Sequence, residues 1–347
     1  MYRFVNDYSE GAHPKILEMM IKSNLEQNIG YGEDIHTANA KTYIKNYLKT
    51  DSVDIHFIPG GTQTNLLAIS SFLRPYQAVI AADTGHVNVH ETGAIEATGH
   101  KVIVCQNTDG KLTPELIQKA LDTHTDEHMV MPKMVYISNS TELGTIYSKS
   151  ELSAIYNLCR QKDLILFIDG ARLASALTSV NNDLDISDLP KLSDAFYIGG
   201  TKNGALLGEA LVIVREDLKR DFRYAIKQRG ALMAKGFVAG IQFEGLFEND
   251  LYFELGYHAN KLADKIAATL KELNYTFLTP TGTNQLFPIV ENKVLMELEK
   301  EFAFSEQSKL GEEYTAIRFV TSWATTTESV EALCAYLRNQ GESSFRG

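Results

Sequence analysis

Cysteine is scarce: Cys105, Cys159 and Cys334 are the only three among 347 residues, and they lie far apart. None has the close partner that a zinc site or a redox pair needs, so a reduced, cytoplasmic setting is expected. Basic clusters are lacking as well, since 33 lysines and arginines face 44 acids for a formal charge of −11. With no basic run interleaved with aromatics, nucleic acid is not an expected partner, and the acidity reads as solubility. No stretch is long and uncharged enough to cross a bilayer, so no membrane contact is expected. The opening residues, "MYRFVNDYSEG", have no apolar core of the secretion-signal kind. The dinucleotide fingerprint G-x-G-x-x-G, the P-loop ending G-K-[ST] and the zinc motif H-E-x-x-H are all missing.

What is present is the alternation of an α/β protein. From about residue 53 to 214, short β-branched or aromatic runs ("VDIHFI", "AVIAA", "KVIVC", "KMVYIS", "LILFID", "DAFYIGG", "ALVIV") alternate with longer amphipathic ones. "TNLLAISSFL", "TPELIQKAL" and "KSELSAIYNLC" read as helices, with Pro114 and Ser148 suited to their starts, and Pro14 opens an earlier one. After residue 230 come helical stretches near 235–247 and 250–273, the strands "NQLFPIV" and "YTAIRFV", and a last helix near 326–339. The expected architecture is a mostly parallel sheet flanked by helices in a large domain over 1–245, with a helical arm at 1–50. A smaller α+β domain over 246–347 follows, leaving a cleft between the two.

Ligands of open α/β sheets bind beyond the carboxyl ends of the strands. Three such ends carry polar residues here: Gly60-Gly61-Thr62-Gln63, Asp169-Gly170-Ala171-Arg172 and Gly199-Gly200-Thr201-Lys202. The glycine loop at a helix start suits a phosphate, although, taken alone, it reads more readily as a tight turn with Thr62 as N-cap. Asp169 follows an apolar strand and needs a ligand or a partner such as Arg172 to stay charged. Lys202, in apolar surroundings, has the setting of an amine with a lowered pKa that attacks carbonyls. A Schiff-base lysine, an aspartate for a pyridinium nitrogen and a helix start for a phosphate are together what pyridoxal 5'-phosphate requires. His86, at the same rim, offers a ring to stack on the pyridine, or is simply a capping histidine. His90 follows four residues later, but with no third ligand in view no metal is expected. Arg318, in "AIRFVTSW", offers a bidentate grip on an amino-acid carboxylate, or a surface ion pair.

In order along the chain, "YGED", "GGTQTN", "HVNVHETGA", "STELGTIY", "DGAR", "GGTKNGALLGEA", "KQRGALMAKG" and "RFVTSW" resemble the low-specificity L-threonine aldolases and their β-eliminating relatives. These are pyridoxal-phosphate enzymes of fold type I, and the resemblance runs from about residue 4 to 338. It implies that Lys202 forms the Schiff base, Asp169 holds the pyridinium nitrogen, His86 stacks on the ring, and Gly61, Thr62, Gln63 and Thr201 contact the cofactor. It further implies that Arg172 and Arg318 grip the substrate carboxylate, with Arg172 near the cofactor's phenolic oxygen. His128, fourteen residues before Glu142, would stand near the substrate hydroxyl, with His86 or His128 as the base. Asn6 stands where many relatives have serine and His90 where some have aspartate, and both would line the substrate's side-chain pocket.

The implied reaction is retro-aldol cleavage of L-threonine, L-allo-threonine or a related β-hydroxy-α-amino acid to glycine and an aldehyde, in a homodimer or homotetramer. An aminotransferase and a β-eliminating lyase share the fold, lysine and aspartate, and a non-catalytic protein retaining the fold is the alternative outside enzymology.

Overall fold

A computed structural model describes residues 2–344 of the chain. Seven strands form its main sheet, in the spatial order Asp54–Ile58, Glu209–Ile213, Ala195–Gly199, Ile165–Asp169, Met131–Ser138, Gln77–Ala82 and Val102–Cys105. Glu209–Ile213 runs antiparallel to both neighbours, and every other pairing is parallel. A parallel sheet covered by helices on both faces needs apolar residues at successive positions rather than alternate ones. The strand Ile165–Asp169 shows this: Leu166 and Ile168 enter one core, Ile165 and Phe167 the other.

The helices start where their caps dictate. Ser148 caps Lys149–Gln161 in a reciprocal box with Glu151, and Thr113 caps Pro114–Asp122. The helix Gly61–Phe72 differs from expectation: its N-cap is Gly60, not Thr62, and no side chain occupies the cap.

A third core, with Leu262, Ile266, Phe319 and Leu333, belongs to the C-terminal α+β unit. There Tyr314–Val320 pairs antiparallel with Ile289–Glu291, Ser305–Leu310 and Gln285–Leu286. Tyr2–Arg3 adds to this unit by pairing in parallel with Phe302–Ala303, and Phe4 is buried in its core. The helix Leu251–Glu272 joins the cores, placing Leu251, Tyr252 and Leu255 in the large one and Leu262 to Leu270 in the small one. Packing therefore does not divide cleanly between residues 245 and 246, because the N-terminal segment sides with the C-terminal unit and one helix serves both.

Among the described residues no helix is long and apolar enough to cross a membrane.

The helix Phe237–Phe247 lies hard against Ile35–Leu48, and Gly240 makes the approach possible. A Cβ at Gly240 would meet Thr37 Oγ1 at 2.5 Å and its backbone nitrogen at 2.6 Å. Gly240→Ala is expected to destabilise the fold by about 1–3 kcal/mol through overpacking, read as a lower urea midpoint at unchanged slope.

Candidate active site

The carboxyl ends of the strands open into a cleft of about 320 Å³ lined by residues from all three predicted strand ends: Gly60 to Thr62; Asp169, Ala171 and Arg172; and Thr201 and Lys202. The helix Gly61–Phe72 points its start at this space. Its first backbone bond runs from Thr64 N–H to Gly60 O at 3.0 Å, so the N–H groups of Gly61, Thr62 and Gln63 precede the ladder and are available to an anion. A Cβ at Gly60 would meet nothing within 4 Å, which leaves this loop open to a ligand. The side chain of Gln63 turns away instead, donating to the Arg229 carbonyl at 3.1 Å.

Asp169 is buried and surrounded by donors. Tyr197 O–H and the Ala171 N–H serve Oδ1; Tyr136 O–H and Asn65 Nδ2 serve Oδ2. Burial pushes its carboxyl up, but the neighbouring His86 and the two tyrosine hydroxyls outweigh it and hold the pKa below the ordinary value. Asp169 is therefore a buried anion able to keep a cationic ring nitrogen charged. Lys202 makes no ion pair among the described residues, and its amine lies 6.0 Å from the centroid of the Tyr8 ring. Burial and then the Arg172 charge lower its pKa, against the pull of Asp7, Asp169 and Glu209. Glu209, behind the lysine loop, accepts from Gly200 N–H at 2.9 Å; burial raises its carboxyl to about 7 despite bonds from Thr201 and Gly200. Thr201 Oγ1 also accepts from Gly208 N–H at 3.0 Å, which closes that loop.

His86 lines the cleft from the short helix His86–Val89. Its Nδ1 meets Glu91 Oε1 at 2.8 Å, and the same Glu91 oxygen accepts from Asn65 Nδ2 at 2.8 Å. Asn65 thus ties the histidine's carboxylate to Asp169, so the residues expected above and beside the ring share one buried hydrogen-bonded chain. The His90 ring is 5.5 Å from that of His86 but does not line the cleft. Burial, then His86, Arg318 and Lys202, lower its pKa, so it feels the site's charge from just outside.

The two arginines are not equivalent. Arg172 donates from Nε and Nη2 to the two oxygens of Asp7 at 2.7 and 3.0 Å, a buried bidentate pair that Asn284 extends with a bond at 2.9 Å to Asp7 Oδ2. Arg318 has its Nε buried with no partner among the described residues, and its Nη2 makes one long bond of 3.3 Å to Val5 O. Burial and the Arg172 charge lower its pKa, as befits a guanidinium lacking an anion.

The sequence of residues 6–293 matches that of the β-eliminating lyase family. The low specificity L-threonine aldolase of Pseudomonas aeruginosa is 31% identical over 343 residues, covering 97% of this chain and 97% of that one. The chain belongs to the low-specificity L-threonine aldolase and β-eliminating lyase family. Among solved structures, the threonine aldolase of Leishmania major matches with a TM-score of 0.97 at 50% identity, covering 98% of this chain and all of that one. A histidinol-phosphate aminotransferase from Clostridium acetobutylicum, with a TM-score of 0.74 at 14% identity over 99% of this chain and 100% of that one, shares the fold alone. As a member of the threonine aldolase and β-eliminating lyase family, the chain is a pyridoxal-phosphate-dependent lyase of fold type I.

The residues fit that cofactor. An uncapped helix start faces the cleft for the phosphate, a buried anion stands at Asp169, and an amine without an ion pair stands at Lys202. Three expectations for individual residues, His128, Asn6 and His90, need correction. His128 is 85% exposed and pairs with Asp126 at 3.3 Å. It precedes the strand Met131–Ser138, so eight residues of strand, roughly 25 Å, carry it to the edge opposite the cleft of its own chain. Asn6 does not line the cleft either; its Oδ1 accepts from Tyr8 N–H and Ser9 O–H in a local turn, and Tyr8 takes the place at the cleft wall. Arg172 lines the cleft, its Nε and Nη2 held by Asp7, whereas Arg318, its Nε without a partner among the described residues, does not line it. His90 stands behind His86 rather than in the cleft. The acids Asp7, Glu91, Glu142 and Glu209, all at or beside the site, were not singled out from the sequence; the one signal was Glu209, a charge opening the apolar run "ALVIV".

Proposed function

We propose that this enzyme cleaves L-threonine, L-allo-threonine or a related β-hydroxy-α-amino acid between Cα and Cβ, giving glycine and an aldehyde. The observation that carries this reading is the single cleft in which an amine without an ion pair, Lys202, a buried anion, Asp169, and an open helix start face one another. The helix start holds the phosphate through the N–H groups of Gly61, Thr62 and Gln63, with Thr201 beside it. Asp169 would hold the proton on the ring nitrogen, and His86, anchored by Glu91, would offer its imidazole to the ring. Bound pyridoxal phosphate supplies an electron sink conjugated to the substrate's Cα. Lys202 would hold the cofactor through its amine, which burial and the Arg172 charge keep at a lowered pKa. Arg318 would take the substrate carboxylate and so fix the orientation of the bonds at Cα. The names of the 31%-identical relative and of the 50%-identical structure support the reading for the threonine side chain.

A homo-oligomer in the cytoplasm is part of the proposal. Support for the oligomer comes from the exposed apolar residues Ile21, Leu25 and Ile29 of the N-terminal arm, at 76, 91 and 67% exposure, with Ile29 sharing a surface groove with Tyr224, 79% exposed.

A product assay tests the reaction. Aldehyde release from L-threonine, L-allo-threonine or phenylserine supports cleavage, ammonia with a 2-oxoacid indicates β-elimination, and conversion to the pyridoxamine form indicates transamination. Arg318→Ala is expected to weaken amino-acid binding by roughly 10- to 100-fold, the effect of losing a charged hydrogen-bonded contact of about 1.5–3 kcal/mol, with cofactor affinity within about twofold. Equal losses in both affinities would remove Arg318 from the carboxylate site.

A further inference from the structure

One acid in the cleft has no part in the reading above. Glu142, four residues past the end of the strand Met131–Ser138, lines the cleft together with His86, Asp169 and Lys202. Its Oε1 accepts from Ser138 O–H at 2.7 Å and from the His86 backbone N–H at 2.9 Å. Both bonds fall on the same oxygen, so the carboxylate is fixed in orientation. Oε2 has no hydrogen bond from a described residue, yet it is not among the sealed, unpartnered atoms, so it is open to the cleft. Burial, reinforced by the Asp169 charge and opposed by the Ser138 bond, raises this carboxyl's pKa and with it the basicity of the anion. The alternatives fare worse: His128 lies at the far edge of the sheet, His90 is outside the cleft, and His86 is anchored through Nδ1 for its place on the ring face.

We propose that Glu142 is the catalytic base, with Oε2 taking the β-hydroxyl proton of the substrate as Cα–Cβ breaks. The proposal rests on the retro-aldol reading. The substrate O–H bond breaks and a Glu142 O–H bond forms; the freed pair becomes the C=O bond of the aldehyde. The Cα–Cβ pair stays with the Cα fragment, where bound pyridoxal phosphate would delocalise it, and a proton from solvent at Cα completes glycine. Glu142 gives its proton to solvent once the aldehyde has left.

Glu142→Gln suits the test because the carboxamide oxygen still accepts from Ser138 and His86 while an NH₂ group, unable to take a proton, replaces Oε2. In the cofactor-free protein, infrared titration is expected to show protonated-carboxyl absorption persisting above the ordinary glutamate range in the wild type and one carboxyl's worth less of it in E142Q, the Glu209 contribution remaining. With cofactor restored, threonine cleavage by E142Q is expected to fall about 100-fold or more, while cofactor affinity and exchange of the glycine α-proton with D₂O, which needs no β-hydroxyl proton, stay within about threefold. Threonine cleavage within about threefold of wild type overturns the proposal, as does equal loss of cleavage and glycine exchange. Should E142Q not fold, Glu142→Asp, which withdraws the carboxylate from the substrate, is expected to show the same split. A wild type that releases no aldehyde from any β-hydroxy-α-amino acid overturns the retro-aldol reading itself, whereas an active wild type with an active E142Q overturns Glu142 alone.

Discussion

Lys202→Ala is expected to yield a folded protein that lacks the visible absorbance of a lysine-bound cofactor and turns over roughly 10²–10⁴-fold more slowly, the range that a positioned nucleophile and proton carrier supplies. The structure gives the reason for both halves. The phosphate cradle, Asp169 and the anchored His86 are contributed by other strand ends, so the cofactor still has contacts after the amine is gone. What disappears is the covalent attachment and the lowered pKa that burial and Arg172 give the amine. An intact band with retained turnover in the purified variant would mean that another group holds the cofactor.

Asp169→Asn has the second largest expected effect, a fall in kcat of roughly 10²–10³-fold, on the scale of removing one preorganised electrostatic partner. Asparagine matches aspartate in shape but is uncharged. Its Oδ1 can still accept from Tyr197 and the Ala171 N–H, while its amide group would oppose Tyr136 O–H and Asn65 Nδ2, a donor against two donors. The ring nitrogen would no longer be held charged, so the electron sink weakens even where the cofactor stays bound. The measurement is kcat with threonine alongside a thermal melt, the melt registering the cost of the mismatched donors separately. A kcat within about twofold of wild type would remove Asp169 from the pyridinium nitrogen.

Lys202 and Asp169 were legible because each is a charge placed directly beyond an apolar strand, a local contrast that physical chemistry makes conspicuous. The strands of the main sheet were legible for the same reason, as short apolar runs bounded by turns. The N-cap at Gly60 was not: a hydroxyl residue ordinarily outranks glycine there, and only the finished loop shows that the cap is left open. Nor was the pairing of Asp7 with Arg172, 165 residues away, or of Glu142 with the His86 backbone across 56 residues. No periodicity encodes such distant partners. His128 differs: the family resemblance, not its own surroundings in the sequence, implied a place near the substrate hydroxyl, and the strand Met131–Ser138 carries it away from the cleft of its own chain. The pairing of Tyr2–Arg3 with Phe302–Ala303 likewise depends on contacts across nearly the whole chain, which is why the N-terminus was assigned to the large domain.

The most direct measurement is a carbon balance. Purified enzyme loaded with pyridoxal phosphate is incubated with uniformly ¹³C-labelled L-threonine, and the products are followed by NMR. The account predicts glycine and acetaldehyde appearing in equal amounts, with the cofactor's absorbance returning to its starting form as threonine is exhausted. Labelled 2-oxobutanoate with ammonia, or accumulation of the pyridoxamine form, would contradict it.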